Sequence, residues 1–154
     1  MKDMNPKTSS EFASLIKKAT DFHGHLGPFL VIGVRIGSLA KRVLNTSASE
    51  SSGFQVSAKL PLFTPFSCVI DGIQVTTQCT VGNQKLRVEN SEAGISVLFK
   101  QQNSDKALEV RVNPEITKKL NDRFSEGASN EELAREIATL PEDKLFIMEK
   151  SKAH

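Results

Sequence analysis

The chain has no tryptophan and no tyrosine, and its two cysteines and three histidines are few for 154 residues. Each shortage removes a class of function. Without indole or phenol rings, and with a net charge of only +2 spread over interleaved basic and acidic residues, the chain lacks a basic stripe and a stacking platform. No nucleic-acid partner is therefore expected. Two cysteines cannot build a disulfide framework, and Cys68 and Cys79 lack the C-x-x-C spacing of a zinc knuckle or redox pair. No apolar run approaches the roughly 20 residues of a membrane span, and the opening MKDMNPKTSSEF has no apolar core of a signal peptide. A soluble, cytoplasmic protein with no membrane partner is expected, its cysteines thiols or metal ligands. P-loop, dinucleotide-binding, nucleophile-elbow and iron–sulfur spacings are missing as well.

What is present suits one globular domain: 38% hydrophobic and 25% charged residues, in a chain long enough to bury a core. That domain is expected over residues 8–150, with 1–7 and 151–154 as flexible tails. Thr8 and Glu11 have capping-box spacing, and Phe12, Leu15, Ile16 and Ala19 recur with helical period, predicting a first helix to about Asp21. Pro28 suits the first position of a second helix, apolar nearly all round at its start. Gly33 and Gly37 lie one turn apart on it, each costing about 1 kcal/mol against alanine, which is tolerable if another backbone packs against that face. NTSASESSG reads as a polar loop. Phe54, Val56, Ala58 and Leu60 alternate with polar residues, predicting a half-buried strand. From Ser67 to about Thr77 the pattern suits helix or strand; helix is preferred because Cys68, Asp71 and Val75 then share a face. Strands are predicted at Lys85–Glu89, Ile95–Gln101 and Lys106–Val112, joined by turn-rich segments as an antiparallel meander. Asn113 and Ser129 cap two later helices, and LFIM after Pro141 offers a last strand. The fold class expected is α+β: an antiparallel sheet of four to five strands packed with N-terminal, central and C-terminal helices.

The chemistry is concentrated in two stretches. Thr20 to Gly37, TDFHGHLGPFLVIGVRIG, sets His23 and His25 one residue apart in a glycine-rich turn. In a turn both rings can converge on an ion, and imidazole is the commonest protein ligand for transition metals. The plainer reading is that one ring caps the next helix and the other faces water. Ser67 to Gly82, SCVIDGIQVTTQCTVG, carries both cysteines. Cys79 is a candidate ligand or nucleophile, since a nearby cation or backbone N–H groups lower a thiol's pKa. Against that, free cysteine is often only a small buried apolar group, a character stronger in Cys68 beside Val69 and Ile70. Two imidazoles and one thiolate leave a tetrahedral ion with an open position, the arrangement of catalytic zinc. Asp71 and Gln74 are polar within an apolar stretch. Asp71 either orients a histidine or acts as a general base, or it belongs to a solvated face. The amides of Phe29 to Val31, at the start of the second helix, point toward the histidine turn and suit a small-molecule or anionic ligand.

Together FHGHLGP (Phe22 to Pro28) and CVIDGIQVTTQCTVGN (Cys68 to Asn83) resemble the FmdE-like family of formylmethanofuran dehydrogenase proteins. Its members pair an F-H-G-H-x-[CG]-P turn with a C-x-x-D-[AG]-I-Q-x-x-[TS]-G-C-T-x-G-K segment. The resemblance is to the core domain, without the four-cysteine C-terminal zinc finger of longer members. It implies an α+β core, commonly a homodimer, and a metal or active site built from the histidine turn and the second cysteine. By position it carries the metal site to His23, His25 and Cys79 and the surrounding pattern to Cys68, Asp71, Gln74 and Thr80, of which Cys68, Gln74 and Thr80 are the cofactor-binding candidates. The cofactor implied is zinc or another divalent transition metal, with Cys79 and Asp71 as catalytic candidates. The family name ties the chain to formylmethanofuran and one-carbon metabolism in methanogenesis, and to a molybdenum or tungsten pterin oxidoreductase as a larger partner. Gly27 stands where many members have cysteine, Gln78 where glycine is usual, and Asn83 where lysine is usual. The expected function is a metal-dependent enzyme, or a component of one, that activates water or a carbonyl. A non-catalytic metal carrier or accessory subunit is the alternative that these departures favour, and a metal-free thiol enzyme with Cys79 as nucleophile is a third.

Overall fold

The structure is a computed structural model that describes residues 10–44 and 53–152. Its centre is the second helix. Phe29, Leu30, Val31, Ile32, Val34, Ile36 and Leu39 are apolar on every side of a helical wheel, so the segment is stable only when enclosed. It forms α2 (Pro28–Val43), with twelve of its sixteen residues buried. Around it stand α1 (Ser10–His23), α3 (Cys68–Thr77), α4 (Pro114–Ser125), α5 (Asn130–Thr139) and the single turn α6 (Glu142–Leu145). α2 packs most extensively on α3, then on α5 and α1. Among the described residues no helix is long and apolar enough to cross a membrane.

Most elements form where the pattern put them. Pro28 does open α2, and the loss of its N–H costs nothing there. Asn113 accepts from the Glu115 amide and Ser129 from the Glu132 amide, so both capping residues hold their helices. α1 runs on to His23, two residues beyond the expected end, which makes that histidine part of the helix. The capping box of Thr8 and the 1–7 tail lie outside the described residues, as does all but Gly53 of the polar loop at 45–53. At the other end the last strand continues to Lys152, into the segment expected as a tail, of which 153–154 lie outside the described residues.

The fold is α+β, with five strands in one mostly antiparallel sheet of order β2-β1-β3-β4-β5. The strands are β1 (Phe54–Leu60), β2 (Leu86–Asn90), β3 (Ser96–Gln101), β4 (Lys106–Val112) and β5 (Phe146–Lys152). The meander expected of the second, third and fourth strands is corrected in one pairing. β2 does not pair with β3; it lies parallel to β1 on that strand's other side, with Val56 opposite Leu86 and Leu60 opposite Asn90. The reason is α3. A parallel neighbour needs a long crossover, and the helix between β1 and β2 supplies one. β1 pairs antiparallel with β3, aligning Val56 with Phe99 and Ala58 with Val97, and β4 continues the buried face through Leu108 and Val110.

Backbone closeness of α2 and α3 explains three glycines. A Cβ at Gly33 would run into the Val69 carbonyl oxygen, and one at Gly72 would lie 2.5 Å from that of Leu30. At Gly37 it would meet the Thr76 side chain at 2.7 Å. Helix propensity is given up where the two backbones touch. After α3 the chain turns through Gln78, whose φ of 60° is left-handed, the region that favours glycine.

Two substitutions separate these effects. Gly33→Ala should lower unfolding free energy by about 2 kcal/mol or more, because backbone must move to admit the methyl. Gln78→Gly should raise it by about 0.5–1 kcal/mol, the relief of left-handed strain less the added freedom of the unfolded chain. Urea unfolding curves of both variants beside the parent check the two signs.

Candidate metal site at the histidine turn

Gly24 separates the two histidines with φ 108°, a conformation L side chains rarely adopt. This turns the chain out of α1 and folds His25 back, so that the two rings lie 4.7 Å apart between centroids, tilted by 41°. His23 is largely buried and His25 is exposed. From α3, Asp71 reaches across 48 residues of sequence to place Oδ2 2.6 Å from Nδ1 of His23. A carboxylate only accepts, so Nδ1 carries a proton and donates, which leaves Nε2 as the ring nitrogen turned away from Asp71. That Nε2 is buried and has no hydrogen-bond partner in the protein. A buried polar atom left this way requires a reason.

Beside it lies a cavity of about 20 Å³, the space of one water or one small ion. His23, His25 and Cys68 face it, with the Asn130 side chain at the start of α5. Pro28, Phe29, Leu30 and Pro65 supply an apolar wall. Cys68 and Asp71 are three residues apart on α3, hence on one face. Burial, then the Asp71 charge, push the Cys68 thiol's pKa up. α2 begins at this wall: Gly27 is its N-cap and offers no side chain to cap it. The Val31 amide donates to the Gly27 carbonyl, so of the three amides expected to face a ligand only those of Phe29 and Leu30 precede the first helical bond. A Cβ at Gly27 would lie 3.0 Å from Asn130 Oδ1 and 3.6 Å from His25 Nε2.

His23 thus pairs with Asp71 and shares the cavity wall with His25 and Cys68. Cys79 does not line the cavity. It follows the C-terminal end of α3, about 15 Å along the helix from Cys68, and is fully buried with Sγ 3.6 Å from the Phe54 carbonyl oxygen. Burial raises its pKa, with a smaller opposing effect from the Thr77 hydroxyl. Gln74 and Thr80 also lie away from the cavity. Gln74 contacts Asp71 and the Val81 amide. Thr80 closes a turn with Asn83, its amide donating to Asn83 Oδ1 and its hydroxyl accepting from the Asn83 amide. Among the described residues no group of three or more His, Cys, Asp or Glu side chains is placed to hold a metal ion.

The sequence reading missed two residues, one at this cavity and one farther along α2. Asn130 comes from α5, about 100 residues away in sequence, and its only local signal is a capping box. Arg35 is buried within α2, and its guanidinium donates to the carbonyls of Ile137 and Leu140 at the end of α5. Desolvation is the main influence on it and lowers its pKa, while Glu142 opposes. Nothing in a helical apolar run announces an arginine aimed inward.

Three comparisons bear on this arrangement. A family model described as "FmdE, Molybdenum formylmethanofuran dehydrogenase operon" matches residues 22–147, a span that includes both motifs. The chain is 36% identical over 86 residues to a "Probable S-adenosyl-L-methionine-binding protein" of Archaeoglobus fulgidus, covering 54% of this chain and 22% of that protein. The chain therefore spans less than a quarter of that relative's length. Among solved structures it is similar to an FmdE-like protein of the tungsten formylmethanofuran dehydrogenase type from Syntrophus aciditrophicus. That likeness has a TM-score of 0.61 at 21% identity and covers 100% of this chain and 78% of the other, a likeness of fold.

The buried thiols give a direct test. In the folded protein at pH 7, Cys68 and Cys79 should both react with iodoacetamide at least about tenfold more slowly than in urea, read by mass spectrometry. Labelling of Cys79 at the denatured rate would contradict the placement of its sulfur.

Proposed function

The chain belongs to the FmdE family, and from that membership and the unpartnered Nε2 of His23 we propose that it binds a divalent transition metal, zinc or a similar ion. On this reading it is a metal-dependent enzyme, or a component of one, linked to formylmethanofuran dehydrogenase and one-carbon metabolism. The observation that carries the proposal is the Asp71–His23 pair, with Nε2 open to a cavity of ionic size. Carboxylate behind, ring between and lone pair forward is how proteins present a metal-ligating imidazole. The donor set of two imidazoles and a sulfur suits zinc.

His23 and His25 are the nitrogen donors. Of the two cysteines Cys68 lines the cavity with them, and on this reading it is the sulfur donor in the place that family position assigns to Cys79. Asp71 holds the His23 tautomer and orientation from behind, and the amides of Phe29 and Leu30 offer positive ends to an oxygen of an anionic ligand. An ion held there would supply Lewis acidity, lowering the pKa of a water to about 7 or polarising a carbonyl. The wall of Pro28, Phe29, Leu30 and Pro65 keeps bulk water off one side and strengthens these interactions.

Two observations favour the second reading, a non-catalytic metal carrier or accessory subunit on a larger pterin oxidoreductase. About 20 Å³ admits an ion and excludes a substrate skeleton, and apolar Phe22 stands exposed next to His23. A homodimer in which a second copy covers this edge belongs to the same reading.

Purification without added metal, followed by elemental analysis, tests the proposal. The parent should retain close to one zinc or similar ion per chain. His23→Ala and Cys68→Ser should each lower affinity by about tenfold or more, while Cys79→Ser should bind like the parent. Equal metal content in the parent and in His23→Ala would end the proposal. Loss in Cys79→Ser alone would return the sulfur to Cys79.

A further inference from the structure

Behind His23 the hydrogen bonds do not stop at Asp71. The Asp71 carboxylate uses Oδ2 for His23, and its other oxygen, Oδ1, accepts from Gln74 Nε2 at 3.3 Å. The carbonyl end of the same amide, Gln74 Oε1, accepts from the Val81 backbone N–H at 3.1 Å. A backbone N–H needs an acceptor and a carboxylate needs a donor, so only this orientation of the amide satisfies both ends. Gln74 is half-buried, one turn along α3 from Asp71. It therefore spans from the carboxylate to the turn that follows the C-terminal end of the helix.

That turn is held as a unit by Asn83. Its Oδ1 accepts from the amides of Thr80 and Lys85, its Nδ2 donates to the Gln78 carbonyl, and its own amide donates to the Thr80 hydroxyl. The Thr80 carbonyl accepts from Lys85 and Leu86, which joins the turn to β2. Val81 sits at its exposed part with its N–H fixed toward Gln74. A continuous path thus runs from a surface turn through one side-chain amide and one carboxylate to the imidazole.

We propose that Gln74 is a positioning residue through which the 78–85 turn sets the orientation of the Asp71 carboxylate, and so the presentation of His23 Nε2 to its ligand. This rests on the metal-site reading only for its effect on affinity; its effect on the ring itself does not need a metal. Without Gln74 the carboxylate is free to rotate about its χ2 and to exchange which oxygen meets Nδ1. Disturbance of the turn then reaches His23 by the same route.

The test is a cycle of Gln74→Leu, Asn83→Ala and the double variant, with Gln74→Glu as a near-isosteric control that keeps the contact to Val81 and replaces the donor with a repelling charge. Two quantities are read: nitrogen-15 shifts of the His23 ring in metal-free protein, which report its tautomer, and zinc affinity. The parent should show protonated Nδ1 and unprotonated Nε2. Gln74→Leu and Gln74→Glu should mix the tautomers and weaken zinc binding about tenfold. Asn83→Ala should shift both in the same direction in the parent and add nothing in the Gln74→Leu background. Unchanged ring shifts in Gln74→Leu and Gln74→Glu would overturn the inference, as would an Asn83→Ala effect that adds in full. A parent that binds no zinc but shows the tautomer change would remove the metal reading and leave the role of Gln74 standing.

Discussion

Contact between the backbones of α2 and α3 is the constraint on which the arrangement depends. With Gly33, Gly37 and Gly72 at the crossing, the helix axes approach until carbonyl oxygen and Cα meet where side chains would normally intervene. That closeness fixes how high α3 stands against the end of α1, and therefore where Asp71 falls relative to His23. A pair 48 residues apart in sequence holds a 2.6 Å contact between α1 and α3, with α3 seated in turn against α2. The site is thus a product of packing at its base and of a single glycine turn at its mouth.

Much of this is legible in the residues alone. Pro28, Asn113 and Ser129 mark helix starts by mechanisms that act within four residues, and such local devices survive any tertiary setting. The glycines of α2 announce a close neighbour without saying which. Pairing is what sequence does not state. β2 has the pattern of a strand wherever it lies, and only the crossover through α3 puts it parallel beside β1. The two cysteines are ambiguous for a similar reason. Helical phase places Cys68 with Asp71, but Cys79 comes after the left-handed Gln78, where phase no longer predicts direction. Asn130 and Arg35 stay hidden because each acts on a part of the chain about 100 residues distant.

The departures from the family pattern acquire physical content here. Gln78 occupies a backbone position that suits the usual glycine, so its presence is a local strain and not a new interaction. Asn83, in place of the usual lysine, exchanges a mobile charge for four hydrogen bonds that knit its own turn. Gly27 opens space that a larger residue would fill toward His25, and the Asn130 amide occupies the approach. Taken together they leave the histidine side of the site intact and alter what surrounds it.

Gly24 has an implication for how the two imidazoles are spaced. His23 ends one helix and His25 precedes the next, so the gap between the rings depends on the torsions of one intervening residue, with open space where its side chain would be. Helix packing and ring spacing are thus set at different points of the chain. The gap can be widened or narrowed at a single peptide while the scaffold on either side stays as it is.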